Sequence, residues 1–252
     1  MNKNMNKNTL LQDLSKLNIN KTGTLLVHSS YKAVGEVDGR ADAILDALMA
    51  FMKDGLLVLP THTWANVKKE TNPVMDVLYT PSCVGILTDI FRKREGVLRS
   101  LHPTHSLAAI GSGACELFDG EEKINTPCGK GGAYYKLWEQ NAQILLIGVN
   151  FTRNTFIHGI EEWDGAEGFL SSTKDDLYVI NHEGKRLYAP QYRHSSRLGS
   201  ETFCKLEPQA IDEGILTLGM FGEATTRLMN TQPLRKMVAG LLEVDSKYLL
   251  RY

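Results

Sequence analysis

His158 and Glu161 lie three residues apart in the segment 150–164, directly after the apolar run 144–149. The run reads as a buried strand and the segment after it as a loop turning into a helix. On a helix that spacing puts both side chains on one face. A carboxylate beside an imidazole builds a general base that works near neutral pH. The position just past a strand end is also where open α/β sheets place their sites. A plain helix-surface ion pair is the alternative reading of the same spacing.

Three other stretches could carry chemistry. The first is His28-Ser29-Ser30-Tyr31-Lys32-Ala33-Val34-Gly35. Its hydroxyls and backbone amides could hold a phosphate or an amide. It matches neither GxGxxG nor GxxxxGK[ST]. The second is Arg99-Ser100-Leu101-His102-Pro103-Thr104-His105-Ser106. One arginine, two histidines and three hydroxyls suit contact with a phosphate or thioester end through Arg99, Ser100 and Ser106. Imidazoles also suit a metal, but HExxH and a nearby carboxylate cluster are both lacking. The third is Asn125-Thr126-Pro127-Cys128-Gly129-Lys130-Gly131-Gly132, a glycine-rich loop opening a helix near Gly132. Backbone amides there favour an anion or a polar oxygen.

The elements that must position these groups follow from periodicity. Strand 24–28, an amphipathic helix carrying Ile44, Leu45, Leu48, Phe51 and Met52 up to Gly55, and strand 56–60 make a βαβ unit, hence a parallel pair. The pattern then repeats. Thr80-Pro81 offers a helix start with proline at the first helical position, Val84, Leu87, Ile90 and Phe91 an apolar stripe to about Glu95, and 106–110 a strand. A short helix over 132–140 and a strand over 143–149 follow. Beyond Leu177 the style changes to a hairpin over 177–188 turning at Gly184, a strand at 215–221 and a terminal amphipathic helix at about 232–243. The expected class is α/β: a central, mostly parallel sheet flanked by helices, with an α+β C-terminal part. A single domain over 9–252 is expected, behind a frayed polar tail of residues 1–8.

Composition narrows the function classes. The chain has 252 residues, 42% hydrophobic and 23% charged, with a formal net charge of −1. No overall charge invites nucleic acid. The run Arg92-Lys93-Arg94 falls at a helix end, where it complements the dipole. No apolar run nears the roughly 20 residues that cross a bilayer, and the polar start has no signal-peptide core. The four cysteines form no CxxC pair, so free thiols in a cytoplasmic protein are expected.

In order and spacing, Leu26-Val27-His28-Ser29-Ser30, Leu59-Pro60-Thr61, the stretch 99–106, Thr126-Pro127 with Gly129, and Thr155-Phe156-Ile157-His158-Gly159-Ile160-Glu161 together resemble the aminoglycoside 3-N-acetyltransferases. The resemblance covers about residues 9 to 250. It implies an α/β fold and transfer of the acetyl group of acetyl-CoA to an amine, the 3-amino of the 2-deoxystreptamine ring of an aminoglycoside or that of a related amino compound. It implies His158 and Glu161 as the base, with Ser29, Ser30, Tyr31, Arg99, Ser100, His102 and Ser106 on the coenzyme. Trp64, Asp164 and His194 fall to the acceptor. No metal is implied. The partners are the amine and coenzyme A, without nucleic acid or membrane, and self-association into a homo-oligomer is left open. The rival readings are a metal-dependent hydrolase and a non-catalytic coenzyme A-binding protein. Two departures from the family stand out. Gly131-Gly132-Ala133 replaces the usual Ser-Pro after the glycine loop. Gln191, Tyr192 and Arg193 stand where resistance members are acidic, while acid clusters at Glu161, Glu162, Asp164 and Glu167.

Overall fold

The computed structural model describes residues 5–195 and 199–250. The strands are β1 Thr24–Ser29, β2 Leu56–Pro60, β3 Val74–Asp76, β4 Leu98–Arg99, β5 Leu107–Gly111, β6 Gln143–Ile147, β7 Leu170–Asp175, β8 Tyr178–Ile180, β9 Arg186–Tyr188, β10 Gln191–His194, β11 Thr217–Phe221 and β12 Ala224–Asn230. The helices are α1 Lys7–Lys16, α2 Arg40–Phe51, α3 Ile86–Phe91, α4 Ala114–Phe118, α5 Ala133–Glu139, α6 Thr155–Trp163, α7 Leu206–Asp212 and α8 Thr231–Val244.

Seven strands form the central sheet in the order β11-β12-β6-β1-β2-β5-β4. Both faces of β1, β2 and β6 are covered by apolar side chains, as continuous hydrophobic runs require. Leu25, Val27, Leu57, Leu59, Leu145 and Ile147 pack with α1, α2 and α3 on one side. Leu26, Leu56, Val58, Ile144 and Leu146 pack with α4, α5, α6 and α8 on the other. The expected α/β class with a helix-flanked sheet is what the chain adopts.

Parallel pairing occupies the centre, where β1 runs with β2 and with β6. Both margins are antiparallel. The repeat of the βαβ pattern expected after β2 does not form. α3 spans only Ile86–Phe91, begins after Gly85 and leaves Thr80 and Pro81 outside it. The chain then doubles back through β4 and β5. Ser100 N–H donates to Leu107 O at 2.8 Å and Leu107 N–H to Ser100 Oγ at 3.0 Å. This closure reverses β5 against β2. β12, not anticipated from the sequence, pairs with β6 and carries β11 at the edge.

A smaller sheet, β3-β8-β9, has its own apolar cluster of Val67, Met75, Val77, Leu177, Val179 and Ala189. The expected hairpin is β8–β9. β7 and β10 form a separate ribbon that carries Arg193 and His194. The polar start is ordered earlier than expected. Asn6 caps α1 by accepting from Asn8 N–H and Thr9 N–H, and Thr9 Oγ1 returns the contact. That reciprocal cap stabilises the first turn without any apolar residue.

Candidate active site

The carboxyl ends of β1, β2 and β6 open into a cavity of about 900 Å³. His28 to Lys32 come from the end of β1, Pro60, His62 and Trp64 from that of β2, and Gly148, Val149, Thr152, Arg153 and Thr155 from beyond that of β6. Cys83 to Ile86 and Thr88, His105, Arg193, His194 and Ser200 complete the wall with His158. Such a crevice outside parallel strand ends is the usual ligand site of α/β sheets.

Gly148 makes the turn out of β6 possible. Its φ is +63°, and a Cβ there would lie 2.2 Å from that of Ala33. Only glycine lets the β6 and β1 loops approach this closely. The chain then enters α6, which presents His158 to the cavity and keeps Glu161 behind it at 1% exposure. His158 Nδ1 lies 2.7 Å from Glu161 Oε2. An ionised carboxylate only accepts, so Nδ1–H donates and Nε2 keeps its lone pair. The dyad expected from the spacing is therefore assembled, with its carboxylate oriented for the imidazole rather than for solvent.

A stack of imidazoles backs His158. Ring centroids are 4.4 Å apart for His158–His194, 5.1 Å for His194–His105 and 4.8 Å for His105–His62. Phe203 closes the other side of His158 at 4.7 Å. Burial holds His62, His105 and His194 well below the ordinary histidine range, with neighbouring imidazoles lowering them further. Burial alone lowers His28 to about 3. These four rings are thus neutral at physiological pH. The side-chain Nε2 atoms of His28 and His194 are buried without a hydrogen-bond partner. Among the described residues no group of three His, Cys, Asp or Glu could hold a metal ion.

Ser29, Ser30 and Tyr31, expected on the coenzyme, and Trp64 and His194, expected on the acceptor, all line the cavity. Of the second anticipated stretch only His105 reaches it; Arg99, Ser100, His102 and Ser106 do not. Arg99 is 2% exposed and spends its guanidinium on the protein. It donates to Thr61 O, Thr80 O and Val77 O, and from Nε to Thr61 Oγ1 and Ser106 Oγ. Burial lowers it to about 9. Ser100 Oγ closes the β4–β5 turn and Ser106 Oγ donates to Thr61 O. His102 Nδ1 accepts from Thr104 N–H and His105 N–H, so its Nε2–H donates to Thr126 O. These four residues are the clamp behind the cavity wall, not its surface; a dense polar loop is satisfied by its own chain.

The acidic cluster is also spent elsewhere. Asp164 makes a bidentate ion pair with Arg235, at 2.8 and 2.9 Å, and does not line the cavity. Glu162 accepts from Thr126 Oγ1 and from Cys128 N–H. Glu167 pairs with Lys247 at 3.3 Å. The glycine-rich loop is filled from within: Glu121, not a ligand, accepts from Ala133 N–H at 2.6 Å. Sequence reasoning gave no role to Lys32 and Arg153, although both lie in stretches it singled out, and missed His62 and the segment 83–88 as wall residues. Lys32 and Arg153 sit just past the parallel strands, so the strand-end rule could have found them. The segment 83–88 was hidden by the helix expected to start at Thr80.

The chain is a three-layer α/β protein that sets a hydrogen-bonded His–Glu pair at a cavity beyond the ends of its parallel strands. The family model for aminoglycoside 3-N-acetyltransferase matches residues 26–243, and the chain belongs to that family. The SPbeta prophage-derived aminoglycoside N(3')-acetyltransferase-like protein YokD of Bacillus subtilis (strain 168) is 27% identical over 172 residues, 60% of this chain. That match spans 63% of the relative's length, a little under two thirds. The crystal structure of the aminoglycoside acetyltransferase AAC(3)-IVa apoenzyme superposes with a TM-score of 0.84 at 23% identity, covering 100% of this chain and 93% of the other. AAC-IIIb in its binary complex with CoASH gives 0.83 at 19%, covering 95% and 96%. At these identities the superpositions establish the shared fold.

Proposed function

We propose that this chain is an acetyl-CoA-dependent N-acetyltransferase that acts on an amine of an aminoglycoside or a related amino compound. The observation that carries the reading is the His158–Glu161 pair set into a cavity at the carboxyl ends of β1, β2 and β6. A relative of the same fold binds CoASH, and the relatives' names place acetylation at the 3-amino position. The reaction then runs in one displacement. The acceptor ammonium loses a proton to His158 Nε2, which Glu161 orients through Nδ1. The free amine attacks the thioester carbonyl, the nitrogen of the tetrahedral adduct releases its second proton to solvent, and collapse of the adduct breaks the C–S bond and expels the coenzyme thiolate, which takes the proton held on His158. Charge on the carbonyl oxygen needs donors, each worth about 3 kcal/mol. The hydroxyls of Ser29 and Ser30 line the cavity and make no side-chain hydrogen bond to the described residues. Lys32 and Arg153, solvent-exposed on the same wall, are free to meet the coenzyme's phosphates. Arg99, Ser100, His102 and Ser106 support this wall from behind.

The protein works as a soluble cytoplasmic enzyme in this reading. Among the described residues no helix is long and apolar enough to cross a membrane. The test is release of coenzyme A thiol from acetyl-CoA with a panel of amines. Amine-dependent release at enzymatic rates is expected. Binding of acetyl-CoA without release for any amine would favour the non-catalytic coenzyme-binding alternative.

A further inference from the structure

The cavity carries the wrong charge for a polycation. Its charged wall residues, among those described, are Lys32, Arg153 and Arg193, and no aspartate or glutamate lines it. Glu161 stands behind His158, and Glu162, Asp164 and Glu167 are engaged as described above. Glu223 lines a shallow groove adjoining the cavity at Gly148–Arg153, on the Lys32 and Arg153 side. Those two cations suit the anionic coenzyme. Arg193 belongs to the other end, beside the loop after β2.

Arg193 is half-buried on β10. NH2 donates to Trp64 O at 3.1 Å and NH1 to Val67 O at 3.4 Å. No carboxylate lies within ion-pair distance of it among the described residues. Asp175 and Glu70 act on it only through space. A guanidinium has five N–H donors, so three are left unused on a cation that faces the cavity. Trp64, 44% exposed, and Ile86, 51% exposed, give the same end an apolar rim. A half-buried cation with spare planar donors fits a bidentate anion. It also repels an acceptor with several ammonium groups, by Coulomb's law at reduced dielectric.

We propose that the acceptor is an amine that also carries an acidic group, a carboxylate or phosphate, held by Arg193 while His158 takes the proton from its ammonium. This rests on the acetyl-transfer reading and narrows its substrate class. The test compares kcat/KM for glucosamine, glucosamine 6-phosphate, muramic acid and a kanamycin-type polycation, with acetyl-CoA and the full chain. At least one of the two anionic amino sugars is expected to exceed glucosamine and the polycation tenfold or more, a difference of about 1.4 kcal/mol. Which of them leads tells phosphate from carboxylate. Arg193→Gln should bring that ratio close to one, and Arg193→Lys should keep part of it. A preference for the polycation, equal rates with and without the acid, or a preference that survives Arg193→Gln overturns the proposal. Thiol release with none of the amines sinks the acetyl-transfer reading instead. Calorimetry on the CoASH complex then decides this one: an anionic sugar must still bind tenfold tighter than glucosamine, and only with Arg193 present, or the proposal falls.

Discussion

The imidazoles of His158 and His194 lie with their centroids 4.4 Å apart and their planes tilted by 40°. One ring is fixed by Glu161 and the other belongs to a neutral stack, so in the proposed reaction the base would work beside an uncharged neighbour. A charged His194 would oppose the imidazolium that the proposed reaction places on His158.

Removing the base tests the dyad directly. His158→Ala is expected to lower kcat by roughly 10²- to 10⁴-fold, the range for a lost general base. Glu161→Gln keeps the side chain's shape but weakens the orientation of the ring, and should cost less than His158→Ala. Coenzyme affinity should hold in both by calorimetry. A wild-type rate in His158→Ala removes it as the base.

The buried histidines make the fold acid-labile. Burial holds His28 at about 3 and His102 at about 4, and depresses His62, His105 and His194 as well. The unfolded chain binds these protons below about 6.5, the folded one does not. The part of the stability set by these histidines is therefore whole above about pH 6.5 and falls as pH drops toward 4, by up to about 1.4 kcal/mol per pH unit for each group. Urea melts between pH 7 and 4.5 should show it. His28→Leu removes a buried Nε2 that has no partner, so it should melt like wild type at pH 7 and with a shallower acid slope. An unchanged slope would contradict the assignment.

Arg99 is a clamp joining the end of β2, the turn at 77–80 and β4. Arg99→Ala takes their donor from Val77 O and Thr80 O, each worth about 1–3 kcal/mol. It should lower the melting temperature steeply. Arg99→Lys should rescue little, because an ammonium cannot reproduce the planar fork. A variant that melts normally but loses acetyl-CoA affinity would restore Arg99 to the coenzyme.

Much of this architecture was legible. Periodicity located β1, α2 and β2 because apolar runs with a glycine stop admit few readings. The His158–Glu161 spacing was legible because both side chains lie on one helix. Arg99, His102 and Asp164 were not, because residue type does not say whether a polar group meets a ligand or its own chain. Their partners Thr61, Thr126 and Arg235 lie 38, 24 and 71 residues away. β12 escaped because Thr225, Thr226 and Arg227 interrupt any apolar run over Ala224–Asn230.

Glu121 supplies the opposite pH signature. It is 2% exposed and accepts from the Ala133 amide at the start of α5. Burial raises it to about 7, against the pull of that amide and of Lys136. The folded state then binds its proton more tightly than the unfolded one between about 4.5 and 7. Its contribution to stability is lost as pH rises through that window. Above pH 7 the buried charge costs roughly 3 kcal/mol, because each pH unit of that window is worth about 1.4 kcal/mol. Below pH 6.5 the five histidines oppose it and prevail. Glu121→Gln keeps an oxygen to accept from Ala133 and carries no charge. Relative to wild type it should gain stability from pH 5 to about 7 and hold that gain to pH 8, read as a gap between the two melting temperatures that widens and then levels off. A gap that stays constant over that range would show that Glu121 is not a buried acid titrating near neutrality.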